Sequence, residues 1–389
     1  MRVAMVVYAP YSRDARVRRY AESLAQKKHR VEIICLHENY QPADKNIRLI
    51  MFPLGRRRIN LPWYFLEYAF FFLYALTILS WRSLFHRYSF VHVHNMPDFL
   101  VFTALIPKLI GSRIILDMHD PMPELFMTKY RLERKNWLVL MVLFMEKWCF
   151  AFADKIITAN GEFKKIFLSR NSAPSEKIEV INNFPDQKLF KYQKRSGRLS
   201  GFRLMYMGTI DERFNLEIAL EAMPRLIKKI SGLQFIIIPK IENEGNYYRH
   251  LLNRINELGI NKYVVIKKPL SLEAISKEII KADIGLTLLK KNLFTEKIMP
   301  LKLTEFLACG IPVVATKTGL LEKTFSDKMI CFLEKNTSEE FYRKVLDLYR
   351  DKNLRKSLSR HAVLFFKKFN WPAEEKKYDQ IIKSLVPPT

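Results

Sequence analysis

The chain has 389 residues, of which 49% are hydrophobic, and carries a formal net charge of +26 at pH 7. The length predicts two or three domains with sizeable cores, and the composition excludes an intrinsically disordered protein. The large positive charge indicates an acidic partner, whether nucleic acid, anionic lipid or a phosphorylated substrate.

The chain opens with the pattern of a β-α-β unit. Residues 3–8 and 31–36 are apolar runs typical of buried strands, and Asp14 is a helix cap between them. This order predicts a parallel sheet. No glycine-rich loop follows the first run, which argues against a dinucleotide-binding oxidoreductase. After the first run, Asp14, Arg16 and Arg19 are either contacts to a ligand or the charged end of a helix.

A basic cluster and a long apolar segment come next, from Arg56 to Trp81. The segment is long enough to cross a bilayer, for which about 20 apolar residues suffice. Strands are predicted on both sides of it, at 31–36 and 90–93, and a span would place strands of one sheet on opposite sides of the membrane. Two interpretations of the segment remain: a helix in the protein core, or a helix lying in a membrane surface. Its arginines, each adding about 1 kcal/mol of attraction to an anionic leaflet, and its aromatic residues favour peripheral membrane attachment.

Polar side chains follow two further predicted strands, at 90–93 and 113–116. Ligands of open α/β sheets bind beyond the carboxyl ends of strands, so these side chains are site candidates. His92 and His94 point the same way on the first strand, but no third ligand follows at a convincing spacing, and no metal is expected. From its surroundings alone, His119 is equally a hydrogen-bonded structural histidine. The candidates are His94, Asn95, Asp98, His119, Asp120 and Glu124.

A polar, basic stretch at 187–201 is the best linker in the chain. It separates a predicted N-terminal domain, residues 1–186, from a second β/α series at 202–370. Residues 371–389 are predicted to form a last helix. The sequence therefore predicts two similar β/α halves.

The loop after the first strand of the second half is a candidate phosphate contact. Gly208 opens this loop, and a glycine lets the backbone approach a ligand closely. Arg213 follows in the same loop and offers a forked pair of donors that suits a diphosphate.

Residues 296–319 predict a helix that leads into a strand. Pro300 suits the first turn, and Gly310 ends the helix. Lys302 adds a cation to the positive end of the helix dipole, where phosphate binds. One turn later, Glu305 offers two acceptor oxygens that suit vicinal hydroxyls such as those of ribose. On spacing alone, a surface Lys–Glu pair on an ordinary helix is an equally good interpretation.

This stretch resembles the donor-site signature of the GT-B glycosyltransferases of family 4. The resemblance implies a retaining, nucleotide-sugar-dependent enzyme of the polysaccharide-assembly type. It also implies an α/β fold of two Rossmann-like β/α/β domains facing each other across a cleft, with a C-terminal helix that crosses back to the N-terminal domain. The matching residues are Pro300, Lys302, Glu305, Phe306, Leu307, Ala308, Gly310, Pro312, Val313, Val314 and Ala315.

The resemblance also assigns the donor side. It implies that Glu305 holds the ribose, that Arg213 grips the diphosphate and that Lys268 contacts the nucleobase. At Lys297 the chain departs from the family, which often has an acidic residue there, near the transferred sugar; Glu296 is one residue away. A lysine that often follows the donor arginine is also missing, and we hypothesise that Lys302 supplies its charge. The implied donor-binding residues are Gly208, Thr209, Arg213, Lys268, Lys297, Pro300, Leu301, Lys302 and Glu305.

On the acceptor side, the resemblance places His119 beside the transferred sugar. Cationic side chains would stabilise the departing diphosphate, so neither a metal nor another cofactor is expected. The implied catalytic residues are His119, Arg213, Lys302 and Glu305. The implied acceptor-side residues are Asp14, Arg16, Arg19, His94, Asn95, Asp98, Asp120 and Glu124.

The sequence therefore predicts a glycosyltransferase that moves a sugar to a membrane-associated or lipid-linked glycan in surface polysaccharide or glycolipid biosynthesis. Its four cysteines are far apart, which fits a reducing cytosol, so we expect a cytoplasmic protein on the inner face of the cytoplasmic membrane. One alternative is a catalytically silent GT-B nucleotide-binding scaffold. The other is a basic nucleic-acid-binding protein, although the sequence carries no motif for that function.

Overall fold

A computed structural model describes most of the chain. The described ranges are 1–54, 61–193, 201–240 and 245–386, and only the backbone is described for Leu61, Pro62 and Tyr64. Arg56 to Arg58, and residues 194–200 of the predicted linker, therefore lie outside the described residues.

The chain folds as two compact units. The first is Met1–Asn183 together with Glu374–Thr389, and the second is Phe184–Ala373. Phe190, inside the predicted linker 187–201, is buried in the core of the second unit at 2% exposure. The apolar start of that polar stretch is therefore part of a core.

Seven strands among the described residues form the sheet of the first unit. They are β1 Arg2–Val6, β2 Arg30–Leu36, β3 Ile47–Phe52, β4 Phe90–His94, β5 Arg113–Met118, β6 Lys155–Thr158 and β7 Ile178–Val180. Their order is β3-β2-β1-β4-β5-β6-β7, and neighbouring strands run parallel. The order reverses between β1 and β4, so the loops after these strands diverge and leave a crevice at the carboxyl edge.

Helices pack on the faces of this sheet. They are α1 Ala15–Gln26, α2 Leu61–Phe85, α3 Leu105–Leu109, α4 Met122–Tyr130, α5 Trp137–Phe152 and α6 Gly161–Ser169. The side chain of Asp14 accepts from the backbone N–H groups of Arg16 and Val17, at 3.1 Å each, which confirms the predicted cap of α1. The connection from β1 to β2 through α1 and the connection from β3 to β4 through α2 run in opposite directions across the sheet. The right-handed crossover rule therefore puts α1 and α2 on opposite faces.

The long apolar segment is helical, as α2. From Phe65 to Phe85 it is long and apolar enough to cross a membrane, by length and composition. It connects β3 to β4, however, and both strands belong to one sheet. Phe71, Ala75 and Leu79 recur every fourth residue and are at most 1% exposed, so one stripe of α2 packs inside the unit.

A second parallel sheet, of six strands among the described residues, forms the second unit. The strands are β8 Phe202–Gly208, β9 Leu233–Pro239, β10 Val264–Ile266, β11 Ile284–Thr287, β12 Val313–Thr316 and β13 Cys331–Leu333. They lie in the order β10-β9-β8-β11-β12-β13, so this sheet reverses between β8 and β11. Two parallel sheets with flanking helices confirm the predicted α/β fold of two Rossmann-like halves.

The second unit is also covered by helices. They are α7 Glu217–Ile227, α8 Asn246–Glu257, α9 Leu272–Ile279, α10 Leu301–Ala308, α11 Gly319–Thr324, α12 Ser338–Arg350 and α13 Lys352–Lys368. The last helix, α14 Trp371–Leu385, starts at the end of the second unit, and its residues from Glu374 onward belong to the first.

Two glycines determine how α10 sits on the second sheet. A Cβ atom at Gly285 would lie 2.5 Å from Cγ of Phe306, so glycine lets the Phe306 ring pack directly on β11. Gly310 has a φ of +75°, a conformation that favours glycine, and it ends α10 as predicted. The close packing holds α10, and with it Glu305, against β11 of the sheet.

Candidate active site

Two loops meet where the second sheet reverses. Gly208, the last residue of β8, has a φ of +143°. The hydroxyl of Tyr206 donates to the carbonyl of Thr209 at 2.5 Å and fixes the turn. From the loop after β11, the N–H of Lys290 donates to the carbonyl of Arg213 at 2.8 Å. The predicted donor loop, after β8, is therefore hydrogen-bonded to the loop after β11, the neighbouring strand of the sheet.

Arg213 lies in a short 3-10 helix, Glu212–Phe214, and its side chain is 29% exposed. Its Nε donates to Oδ1 of Asp211 at 2.8 Å, and the same oxygen accepts from the Arg213 backbone N–H at 3.0 Å. Asp211 thus holds one edge of the guanidinium. The two terminal nitrogens have no protein acceptor in the described part of the chain, and they leave a forked pair of donors for an anionic ligand.

Glu305 is the buried acid of this site. Its side chain has 0% exposure, and its Oε2 accepts from Nζ of Lys302 at 2.9 Å. Its Oε1 is buried and has no hydrogen-bond partner among the described residues. A surface ion pair is therefore excluded, because only Lys302, at 21% exposure, reaches solvent. A buried carboxylate oxygen without a donor is costly unless a ligand hydroxyl supplies one.

The start of α10 offers backbone donors beside this acid. Pro300 is the N-cap residue, and no side chain caps the helix. The N–H groups of Leu301 and Lys302 fall in the first turn, where a helix supplies no carbonyl partner. Together with the helix dipole and the Lys302 ammonium, they favour an anion such as phosphate.

The segment before α10 is held by its own polar side chains. Thr295 is fully buried, and its Oγ1 donates to the carbonyl of Lys290 at 2.6 Å. Glu296 accepts from the N–H of Gly319, at the start of α11, at 2.6 Å. Its carboxylate is thus used inside the protein. Lys297 is half-buried and ends the 3-10 helix Thr295–Lys297. It occupies the position that the resemblance links to the transferred sugar, and its role there stays a prediction.

Lys268 lies at the edge of the second sheet. It follows β10, which is two strands away from β8, at the same carboxyl edge as the donor loop. The residue is exposed. Its assignment to the nucleobase stays a prediction.

In the first unit, several polar side chains at the carboxyl edge of the sheet bind one aspartate. Asp117, at the end of β5, is 0% exposed and binds the guanidinium of Arg16 through both oxygens, at 2.8 Å each. A third nitrogen of Arg16 donates to the carbonyl of Ile181 at 2.8 Å. Burial alone would raise the pKa of Asp117, but Arg16 and His119 hold that pKa well below its ordinary value. Asp117 is therefore a fixed negative charge.

Two histidines share that charge. Nδ1 of His94 and Nε2 of His119 each lie 3.2 Å from Oδ2 of Asp117. Burial lowers the pKa of His94. Burial would also lower the pKa of His119, but Asp117 outweighs that effect and raises it. His119, whose raised pKa favours the protonated form and whose side chain is 21% exposed, is therefore the member that a ligand can reach.

The backbone around His119 is held by Asn95. The Asn95 side chain accepts from the His119 N–H at 2.7 Å and donates to the carbonyl of Asp120 at 2.8 Å. It also donates to Oδ1 of Asp98 at 3.0 Å. Asp98 is 1% exposed, and burial raises its pKa to about 7.

Several acceptor-side candidates lie deeper than the sequence indicated. Arg16 and Asp98 are almost fully buried. All three guanidinium nitrogens of Arg16 have protein acceptors, whereas Oδ1 of Asp98 accepts from Asn95 and its Oδ2 has no hydrogen-bond partner among the described residues. Arg19 is also buried and donates to the side chain of Asn183. Glu124 is ion-paired with Arg170. Each of these four residues has at least one partner within the unit, and their assignment to the acceptor stays a prediction.

The same edge contains the one group of potential metal ligands found among the described residues. Ligand atoms of His92, His94 and Asp117 lie within 4.8 Å of one another. Nδ1 of His92 is 2.9 Å from the hydroxyl of Tyr378, and Arg16 occupies both oxygens of Asp117. A metal ion would have to displace the guanidinium or sit beside it. The geometry therefore fits a hydrogen-bond network better than a metal centre.

Sequence reasoning missed two members of this network. Asp117 is two residues before His119 and so shares its face of the strand; a lone carboxylate in an apolar run was the available signal. Tyr378 comes from α14, 286 residues from His92, and no local pattern points to that contact.

Two family descriptions match this chain and together cover most of it. Residues 15–188 match "Glycosyltransferase Family 4", and residues 190–364 match "Glycosyl transferases group 1". The division between the two matches lies near residue 189, close to the boundary between the two compact units.

Among similar proteins, a chitobiosyldiphosphodolichol beta-mannosyltransferase from Debaryomyces hansenii is 22% identical over 404 residues, covering 93% of this chain and 83% of that protein. The sucrose-phosphate synthase structure from Thermosynechococcus elongatus aligns over 99% of both chains, with a TM-score of 0.76 and 14% identity. The structure of Anabaena HepE in complex with UDP-glucose aligns over 99% of this chain and 100% of its own, with a TM-score of 0.71 and 13% identity. At such identities, the two structures establish the fold alone.

Proposed function

This chain belongs to the GT-B glycosyltransferases of family 4, and we propose that it transfers a sugar from a nucleotide-sugar donor to a membrane-associated or lipid-linked glycan. The main support for a nucleotide-sugar donor is the environment of Glu305. A fully buried carboxylate with one oxygen on Lys302 and the other without a donor among the described residues fits a pair of ribose hydroxyls.

The groups around Glu305 suit a diphosphate leaving group. Lys302 and the first turn of α10 follow β11, and Arg213 follows β8, so these groups come after the carboxyl ends of two neighbouring strands of one sheet. Negative charge grows on the diphosphate as the sugar departs, and preorganised donors stabilise that charge without reorganising. No metal and no other cofactor enter this proposal. The similar Anabaena protein, which binds UDP-glucose, supports a nucleotide sugar as the donor class.

The acceptor proposal rests on charge and on one relative. The chain carries a net charge of +26, and an acceptor with a lipid-borne diphosphate would be attracted to it. The Debaryomyces relative is named for a diphosphodolichol-linked acceptor, which supports the same class here. We therefore place the reaction in surface polysaccharide or glycolipid biosynthesis, at the inner face of the cytoplasmic membrane.

A panel of nucleotide sugars tests the donor proposal. Purified protein is heated with UDP, GDP, dTDP and ADP sugars in turn. A ligand at about 100 times its dissociation constant stabilises the fold by about 2.7 kcal/mol, so the correct class should raise the melting temperature by several degrees. If no nucleotide sugar shifts the transition, the assignment of Glu305 is wrong.

We also expect retention at the anomeric carbon, as the family resemblance implies. An α-linked donor should then give an α-linked product. Proton NMR of the purified product reads this configuration directly. The relative named for a beta-mannoside makes the measurement decisive, because a β product from an α donor would establish inversion.

A further inference from the structure

One face of the first sheet is covered by a layer of adjacent helices. The 3-10 helix Asp98–Ala104 packs against both α2 and α5 and continues into α3. Phe99 lies 5.8 Å from Phe72 of α2, and Phe102 lies 5.2 Å from Phe152 of α5, between ring centroids. We call α2, α3 and α5 the docking layer.

The outward face of this layer is apolar along its length. Its exposed fractions reach 69% at Leu84, 73% at Leu109 and 68% at Trp137. A soluble protein rarely leaves so many neighbouring large apolar side chains in water without a partner. The exposed members are Phe65, Leu66, Phe70, Leu73, Trp81, Leu84, Phe85, Leu105, Leu109, Trp137, Leu140, Met141, Phe144 and Trp148.

The acidic residues of the layer point inward. α2 contains one acid, Glu67, which is 8% exposed and accepts from the hydroxyl of Tyr8 at 3.1 Å. α5 also contains one, Glu146, which is 0% exposed and binds Arg170 at 2.8 Å. The outward face therefore presents apolar surface with no carboxylate from either helix.

Cations stand beside this apolar face. Arg131, Arg134 and Lys135 are exposed in the loop that leads into α5, and Lys147 is exposed within that helix. The same loop has one acid, Glu133. A basic rim around an apolar face matches an anionic bilayer, whose head groups attract the cations while its acyl region accepts the side chains.

Charge also argues against a second copy of the chain as the occupant. Two molecules that each carry +26 would meet through surfaces with basic rims and repel each other. The three tryptophans on the outward face, Trp81, Trp137 and Trp148, belong to the residue type that concentrates at membrane interfaces.

We propose that the docking layer binds flat to an anionic membrane, with α5 as a second contact beside α2. This inference rests on the proposed function, because it would bring the enzyme to a lipid-linked acceptor. A flat orientation follows from the fold. α2 connects two strands of one sheet and packs on it through Phe71, Ala75 and Leu79, so it cannot leave the sheet to span a bilayer.

The test is co-sedimentation with vesicles of phosphatidylcholine and phosphatidylglycerol in equal parts, with pure phosphatidylcholine for comparison. Wild type should sediment with the anionic vesicles. The triple variant Leu140→Ser, Phe144→Ser, Trp148→Ser should bind the anionic vesicles at least about tenfold more weakly than wild type. The double variant Arg134→Glu, Lys135→Glu should bind anionic vesicles more weakly than wild type, and the difference from wild type should be largest at low salt.

A matched control is Leu293→Ser, Leu354→Ser, Leu364→Ser, three exposed leucines of the second unit, which should bind vesicles like wild type. All variants should keep the nucleotide-sugar melting shift of wild type, so that a failure of membrane binding is distinguished from a failure of the donor site. Equal vesicle binding by wild type and the α5 triple variant overturns the proposal. A wild-type dimer in light scattering that the triple variant abolishes, without vesicle binding, assigns the layer to a second copy instead.

Discussion

Replacing Glu305 by alanine is expected to remove nucleotide-sugar binding. The carboxylate is fully buried beside Lys302, and its free oxygen has no other role among the described residues. Two charge-assisted hydrogen bonds to ribose, each contributing about 1.5–3 kcal/mol, correspond to a dissociation constant raised by about a hundredfold or more. Titration calorimetry with the nucleotide sugar found in the melting panel measures this change.

The fold should survive this substitution. Alanine is the best helix former, and Lys302 reaches solvent once its partner is gone. Glu305→Gln, which keeps the side-chain volume and one acceptor, should bind more weakly than wild type and more tightly than Glu305→Ala. Glu334→Ala removes another lysine-paired acid of the same unit, but one that is 58% exposed, and it should bind normally. Unchanged affinity in Glu305→Ala would separate Glu305 from the donor site.

Replacing Asp117 by asparagine is expected to destabilise the first unit and to change how activity depends on pH. The variant leaves the buried Arg16 guanidinium without a counter-charge, and breaking a buried pair in this way costs about 3–5 kcal/mol. Thermal unfolding in the absence of ligand measures the loss.

The pH effect follows from the direction of two pKa shifts. The lowered pKa of Asp117 stabilises the fold above the unfolded value of about 3.9, and this stability is lost as the pH falls through the folded pKa. The raised pKa of His119 stabilises the fold fully below about 6.5, and this stability is lost as the pH rises through the folded pKa. The variant should lose both contributions.

If the His119 imidazolium faces the substrate, the alkaline limb of the turnover profile should move to lower pH in Asp117→Asn. The charges of Arg16 and Asp14 also act on this imidazole, and Nδ1 of His94 lies 3.2 Å from its Nε2; these residues are unchanged in the variant. Glu32→Gln is the matched control, because Glu32 is a buried acid of the same sheet bound by Arg82. It should lose stability but keep the wild-type pH profile. A shift of that limb in both variants would assign the effect to stability and not to His119.

The residues assigned to the donor half could be singled out from the sequence because they are close together in the chain. Gly208 and Arg213 are five residues apart, and Lys302 and Glu305 share one turn of a helix. Their spacing and residue type made them candidates, and the family resemblance supplied their roles. The strands could be predicted for a similar reason, since parallel strands buried on both faces are continuous apolar runs.

The acceptor half could not be predicted in the same way, because its contacts join distant parts of the chain. Arg16 and Asp117 are 101 residues apart, and the sequence showed only a charged helix end and an acid in a strand. Burial of Asp98 likewise depends on neighbours in space. The direction in which a polar side chain at a strand end points, toward a ligand or toward the protein, is decided by partners that no local pattern contains.

The first unit is completed by a helix that is synthesised after the second unit. Within it, Tyr378 of α14 bonds to His92, Lys27 binds Asp379 at 2.6 Å, and Asn182 donates to Glu374 at 2.9 Å. A ribosome adds about 5–20 residues per second, so roughly 10–40 s pass between the emergence of Asn183 and that of Glu374. During this interval the nascent first unit lacks its final helix, while the second unit emerges as one uninterrupted segment. The half that is synthesised second is therefore the first that can finish folding.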